Sequence, residues 1–387
     1  MKNVQDVLSC ALKVHPESRL AESSLKQGES LEEVASQRPN PELNSQAVVG
    51  TTRAGTQFSY LELNLAHNFE LGGKRGARIE RAQAELEQRK ASALGAQEQV
   101  YTGTLLALYR IRQIQSELEV LKIALTSATR IQKQYHSRPR LNPEQTASLR
   151  ILEISEGDYK LRSAPLEADL DRQLRVLELA LGKPFEPRPE LLPARKKSWP
   201  VVSESKTSEP VVGSQVQSAS AELKLAQAQM GVAQSSAWPD FKIGPTFETQ
   251  NQGLSSFRAI GFNLSLPLPI YHLNGAGKAF ANQGMSRAEL GLDATRREAQ
   301  YQRDYYLKRY QGAVKALTTT LASGDLFKKH NEVERLFDRG LLPGTLMVEL
   351  HRQMIDFTKS QNEQEIAAVE SLARLRAYQG TLFKEQP

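Results

Sequence analysis

Six histidines, one cysteine and 44 acidic side chains are the groups in this 387-residue sequence that could bind metal or run acid–base chemistry. The histidines, His15, His67, His136, His272, His330 and His351, share no ligand spacing, and no HExxH occurs. Cys10 stands alone, so no internal disulfide and no cysteine zinc site can form, and it reads as a small buried side chain. Gly72-Gly73-Lys74-Arg75-Gly76 resembles a phosphate-cradling loop, but it lacks the P-loop spacing and the GK(S/T) ending. No nucleophile and base fall at a spacing that argues for catalysis. These residues predict a protein that is not an enzyme and uses neither a metal nor a cofactor.

The elements that would position such groups are elongated. Lys and Arg exceed Asp and Glu by 50 to 44, but the signs interleave along helical segments and form no basic block, which argues against a nucleic-acid partner. With 40% hydrophobic and 6% aromatic residues the chain is lean for its length, as helices with a wetted face would be. No run of about eighteen apolar residues predicts a transmembrane helix. The opening MKNVQDVLSCALKVHPE has neither the basic start nor the apolar stretch of a signal peptide.

Residues 4 to 37 read as one helix, closed at RPNPEL by Pro39 and Pro41. Alternating segments follow over about 42–52 and 57–70. In the second, Leu61, Leu63 and Leu65 oppose Glu62 and Asn64, the period of a strand with one apolar and one polar face. From about residue 76 to 136 the period turns helical. Ala107, Ile111, Ile114, Leu118, Leu121 and Leu125 make a heptad seam, and about sixty residues of helix would span roughly 90 Å. A second helix runs from about Pro143 to Leu181 with Leu166, Leu170, Leu174, Leu177 and Leu181 on one stripe; Pro165 inside it should kink or break it. Gly182 ends it, and residues 183–213, rich in proline, read as a linker.

The order then recurs. A helix over about 214–237 ends at AWPDFK, strands are expected over about 240–251 and 257–268, a long helix follows NGAGK to about 338, DRGLLPG turns it, and a last helix ends at Gly380. Pro41 and Pro239, Gly76 and Gly275, and Gly182 and Gly380 are each 198 or 199 residues apart, so residues 1–182 and 214–387 form an internal duplication. In the last strand Ile260, Phe262 and Leu264 would face lipid while Gly261, Asn263 and Ser265 face a lumen. Phe58, Tyr60, Phe69, Trp238, Phe241, Phe257 and Tyr271, in or beside the strands, suggest an aromatic girdle, though a soluble sheet core would also hold aromatics.

Four amphipathic strands are too few to close a barrel, and the helices are too long to fold into one core, so several copies must assemble. Gly72, Gly73, Gly76, Gly275 and Gly277 would then turn strand into helix at two joints. Beside them, Lys74, Arg75 and Arg78 could meet lipid head groups or water.

The order helix, RPNPEL, two strands, FELGGKRGARIERA, long helix, then WPDFKIG, two strands, LSLPLPI and NGAGKA resembles the outer-membrane efflux family typified by TolC, and the ELGGKRGAR joint is most similar to its heavy-metal branch. The resemblance implies an α+β membrane protein. It would be a homotrimer whose long antiparallel coiled-coil helices form a periplasmic α-barrel and whose chains each give four strands to a twelve-stranded outer-membrane β-barrel. It implies the passive exit duct of a tripartite pump, partnered by a periplasmic adaptor and an inner-membrane transporter and embedded in outer-membrane lipid. It implies an adaptor-contacting tip at Arg339, Gly340 and Leu341, and a pore constriction at Leu346 and Glu349. A soluble coiled-coil scaffold without export is the alternative; it has no need of four strands.

Overall fold

The structure, a computed structural model, describes residues 1–387 except 52, 54, 197, 203–210, 272, 322 and 385–387. His272 and part of the proline-rich segment thus lie outside the described residues. The elements run α1 (Val4–Val14), α2 (Pro16–Ser36), β1 (Glu42–Thr51), β2 (Gln57–Phe69), α3 (Lys74–His136), α4 (Pro143–Leu181), α5 (Ser214–Ser235), β3 (Phe241–Gln252), β4 (Ser255–Ser265), α6 (Gly275–Thr319), α7 (Ser323–Asp338) and α8 (Gly344–Tyr378), with one 3-10 turn at Pro189–Leu191. Two compact units result, and each draws on both halves of the sequence. One comprises Met1–Ala21, Leu94–Ser214 and Glu298–Pro387, the other Glu22–Ala93 and Gln215–Arg297.

The second unit holds the sheet, ordered β1-β2-β3-β4 with every neighbouring pair antiparallel. Its register aligns the alternation of the four strands. Ser45, Leu63, Phe247 and Ile260 form one row across the sheet, and His67, Ile243 and Leu264 form another on the same face. The neighbouring rows, Asn44-Asn64-Thr246-Gly261 and Gln46-Glu62-Glu248-Ala259, lie on the opposite face. A one-residue slip in any pair would mix the two sets, so the register itself keeps one face apolar and the other polar. Ile260, Phe262 and Leu264 therefore share a face, and Gly261, Asn263 and Ser265 share the other. The aromatics divide: Phe69 and Phe241 stack on the apolar face with centroids 5.1 Å apart, whereas Phe58, Tyr60 and Phe257 fall on the polar face by register. The girdle reading is corrected accordingly. β4 stops at Ser265, two residues before Pro267, whose ring carries no N–H for the ladder.

The first unit is a helical pack. α1 is capped by Asn3, whose side chain accepts the Asp6 N–H, and it buries Val7, Leu8 and Ala11 against Leu108, Ile111, Leu177 and Leu181 of α3 and α4. The single helix expected over 4–37 is in fact two. Pro16 cannot donate to the helical ladder, so His15 turns out to ψ 134° and α2 starts afresh. By contrast α4 runs unbroken through Pro165. The long helix expected to reach about 338 ends at Thr319, and α7 begins at Ser323. Here Thr318 and Thr319 turn their hydroxyls back onto the carbonyls of Val314 and Lys315 at 2.9 and 2.8 Å, a bonding pattern that weakens a helix.

The α3 seam holds at Ala107, Ile111, Ile114 and Leu121 but drifts from Leu118 and Leu125, which are only half-buried, to Ala124, Ala128 and Ile131. A straight helix of 3.6 residues per turn slides off a seven-residue repeat in this way. The same face carries a polar layer. Gln113 donates to Glu365 and to the Asn362 carbonyl at 3.0 Å each, Asn362 donates to Glu117 at 2.8 Å, and Arg112 pairs with Glu365. Arg110 bridges Glu117 and Asp169 at 2.9 Å each, tying α3 to α4.

Candidate functional site

The first joint is built from β2, α3 and the start of β3. Gly72 and Gly73 adopt φ +69° and +73°, a region open to glycine. A Cβ on Gly72 would lie 2.4 Å from the Trp238 indole, so that glycine also admits a ring. Gly73 accepts the Ala77 N–H at 3.0 Å and opens α3, leaving Gly76 inside the first turn. The basic residues beside them are held by the protein itself. Lys74 donates to Asp240 at 2.6 Å, Arg75 donates to the Ser36 carbonyl at 2.7 Å, and Arg78 pairs with Glu70. Asp240 also accepts the Leu71 N–H at 3.3 Å, so one carboxylate joins the end of one hairpin to the start of the other.

The second joint works differently. Gly275 and Gly277 lie in the first turn of α6, and the left-handed residue is Asn274, at φ +52°. Asparagine tolerates this conformation because its short amide bonds locally; its Nδ2 donates to the Ala233 carbonyl at 2.8 Å. At Gly277 a Cβ would come 2.2 Å from the Asn274 amide, so a side chain there would push that amide aside. Asn274, Asp240 and Trp238 are joint residues that the glycine pattern alone does not disclose.

In the helical unit, α7 ends in a Schellman turn. The Gly340 N–H reaches the Phe337 carbonyl at 2.8 Å, the Leu341 N–H reaches the Leu336 carbonyl at 3.1 Å, and Gly340 sits at φ +76°. Phe337 and Leu342 pack inward beside Tyr135 and Met347, while Arg339 and Leu341 project outward, Leu341 with 66% of its surface exposed. Arg130 of α3 pins the end of α7 through Glu334 at 2.7 Å and Asp338 at 2.6 Å. The turn's backbone is closed by two hydrogen bonds, and its outward side carries one cation and one apolar side chain.

Leu346 and Glu349, one helical turn apart on α8, share its outer side; Met347, His351 and Met354 fill the inner one. The Glu349 carboxylate accepts from Arg352 at 2.7 and 2.9 Å and from Gln353 at 2.8 Å. Those hydrogen bonds, Arg352 first, hold its pKa below the usual carboxylate range. Glu349 is thus ionised, with a cation of its own helix beside it.

Although the histidines share no sequence spacing, the fold brings two together. The Nε2 atoms of His330 on α7 and His351 on α8 lie 3.0 Å apart, and both rings are buried. Twenty-one residues across a helical turn leave no periodic signal for such a pair. Among the described residues, no group of three or more His, Cys, Asp and Glu side chains could hold a metal ion, and no helix is long and apolar enough to cross a membrane.

This combination of a faced four-stranded sheet with long paired helices is the fold of TolC-type outer-membrane channels. The chain superimposes on the Campylobacter jejuni CmeC outer-membrane channel with a TM-score of 0.76 at 15% identity, covering 99% of this chain and 86% of CmeC. On the open-state Neisseria gonorrhoeae MtrE outer-membrane channel the TM-score is 0.74 at 15% identity, covering 100% of this chain and 91% of MtrE. In sequence it is similar to the cobalt-zinc-cadmium resistance protein CzcC of Cupriavidus metallidurans, with 26% identity over 257 residues. That match covers 61% of this chain and 55% of CzcC, so it spans about half of that relative. No family model matches the chain.

Proposed function

We propose that this chain is the outer-membrane exit duct of a tripartite efflux pump. Three copies would close a twelve-stranded barrel and continue it as a helical tunnel, passing small molecules or metal ions from periplasm to exterior with energy supplied by partners. The observation that carries the reading is the sheet. It has an apolar and a polar face in register, β1 and β4 leave unpaired edges, and the strands are 10 to 13 residues long. A tilted strand needs about 9–11 residues to cross a bilayer, and edges of this kind demand partners. The name of CzcC favours metal ions as cargo, and selection of that cargo can rest with the pump's other components.

On this reading Arg339, Gly340 and Leu341 meet the periplasmic adaptor. Leu341→Asp should abolish efflux and adaptor cross-linking while assembly in the membrane is unchanged, because the side chain projects from the turn and supports none of its packing. Full efflux with normal cross-linking would remove the assignment, and a monomeric, water-soluble protein would remove the duct itself.

Leu346 and Glu349 are proposed to line the constriction. A ring of three carboxylates favours cations, but Arg352 beside each one offsets part of that potential. Planar-bilayer recordings should therefore show only a modest loss of cation selectivity in Glu349→Gln and a larger rise in leak conductance in Leu346→Ser. If neither variant changes conductance or selectivity, both residues lie off the pore.

A further inference from the structure

The buried pair His330 and His351 is used by none of the roles above. Only 2% and 1% of their surfaces are exposed, and they join α7 to α8, the two helices flanking the turn at Gly340. We propose that this pair is a proton-operated latch: with His351 neutral it holds α7 against α8, and acid releases the hairpin.

The hydrogen bonding assigns the tautomers. His330 Nδ1 faces the Asn331 Oδ1 at 3.3 Å, so Nδ1 carries its proton and Nε2 presents a lone pair. His351 Nε2–H then donates across the 3.0 Å contact, and the remaining lone pair, on His351 Nδ1, is buried with no partner. An added proton must go to that atom. It would make an imidazolium whose new N–H has no acceptor, at the expense of its hydration.

The surrounding groups do not compensate for it. α3 presents the guanidinium of Arg130, which repels the new charge. α4 presents Tyr159, its ring 6.3 Å from His351 and its phenol pushed up to about 12 by burial, and therefore neutral. α7 presents Glu334, whose Oε2 lies 4.0 Å from His330 Nδ1, on the far ring from His351, while its Oε1 accepts from Arg130 and from Ser127 at 3.2 Å. Within α8, Glu349 is engaged by Arg352 on the outer side of the helix. Water is the remaining stabiliser, and it reaches the ring only when α7 and α8 part.

The direction of the pH dependence follows. Burial, then His330 and Arg130, lower the His351 pKa from 6.5 to about 4. A group depressed in the packed state stabilises that state fully above its ordinary pKa and ceases to as pH falls through the packed-state value. The latch is closed above about pH 6.5 and loosens as pH falls towards about 4.

Hydrogen exchange on the full chain in detergent micelles, corrected for the intrinsic pH dependence of exchange, tests this. Between about pH 7.5 and pH 4.5, amides of α7 and of the first turns of α8 should exchange about tenfold faster or more, measured relative to the C-terminal turns of α4. The double variant His330→Leu/His351→Met should lose that acceleration. Should it fail to fold, His351→Gln, which keeps a donor but cannot titrate in this range, should lose most of it. Wild-type exchange that ignores pH, or equal acceleration in the variants, overturns the latch. Its service as a control on the duct rests on the function proposed above and is read separately, as acid-induced conductance. Acceleration without conductance leaves the latch standing and counts against the placement of this hairpin at the pore.

Discussion

Arg112→Leu should cost the helical unit about 3–5 kcal/mol of stability. The partner left behind is Glu365, only 2% exposed, whose Oε2 loses its cation and whose Oε1 has no hydrogen bond to begin with. Gln113 would still donate at 3.0 Å, and the charges of Arg195 and Lys196 reach Glu365, but neither replaces the direct ion pair of a buried carboxylate. Removing both charges should be far milder. In Arg112→Leu/Glu365→Leu neither partner of this pair remains to be desolvated, Gln113 keeps its bond to the Asn362 carbonyl, and most of the lost stability should return, as it does when buried pairs become well-packed apolar ones. Denaturation of the three proteins in detergent, followed by helical circular dichroism, gives the cycle. A single variant within about 1 kcal/mol of the parent, or a double variant no better than the single, would show that the layer is open to water.

That layer illustrates what the sequence makes legible. The seam through Ile111, Ile114 and Leu121 is readable because apolar spacing is a local property of one helix. Gln113 and Glu117 on the same buried face are not, since Arg110 one heptad away pairs with Glu117 but the other partners, Asn362 and Glu365, lie some 250 residues away. The strands are readable for the same local reason, and the register only had to respect alternation already present in Leu61, Leu63 and Leu65. Two helix breaks were locally encoded but hidden by the periodicity around them: Pro16 within an amphipathic run, and the threonines before Ser323. The joints divide likewise. Gly72 and Gly73 announce a left-handed turn, whereas Asn274 does the same task through a hydrogen bond to a carbonyl 41 residues earlier, which no spacing reveals. The pairing of Glu349 with Arg352 is a simple i,i+3 contact that the helical period does contain.

Gly244→Val should prevent the sheet from forming at all. A Cβ at this position would stand 1.7 Å from the Leu65 carbonyl oxygen, 2.6 Å from its carbon and 2.8 Å from the Ala66 Cα. These are backbone atoms of the central strand β2, so no rotamer change can make room. Overfilling a core costs about 1–3 kcal/mol when side chains can yield; here β2 and β3 would have to separate. They meet closely at this point, where the ladder changes. Pro245 follows with no N–H to give, and the paired residues step from Asn64↔Thr246 to His67↔Ile243, so the ladder is interrupted where the two backbones come closest. Since β3 carries β4, separation from β2 would divide the sheet into two hairpins, and isolated hairpins are marginal at best in water. Gly261→Ala is the matched control, a glycine on the polar face of β4 where an added methyl would meet nothing within 4 Å. Refolded into detergent, the control should regain parental β circular dichroism and protease resistance over residues 241–265, and Gly244→Val should regain neither. Equal recovery of the two would mean that β2 and β3 are spaced more widely at Gly244 than this close approach requires.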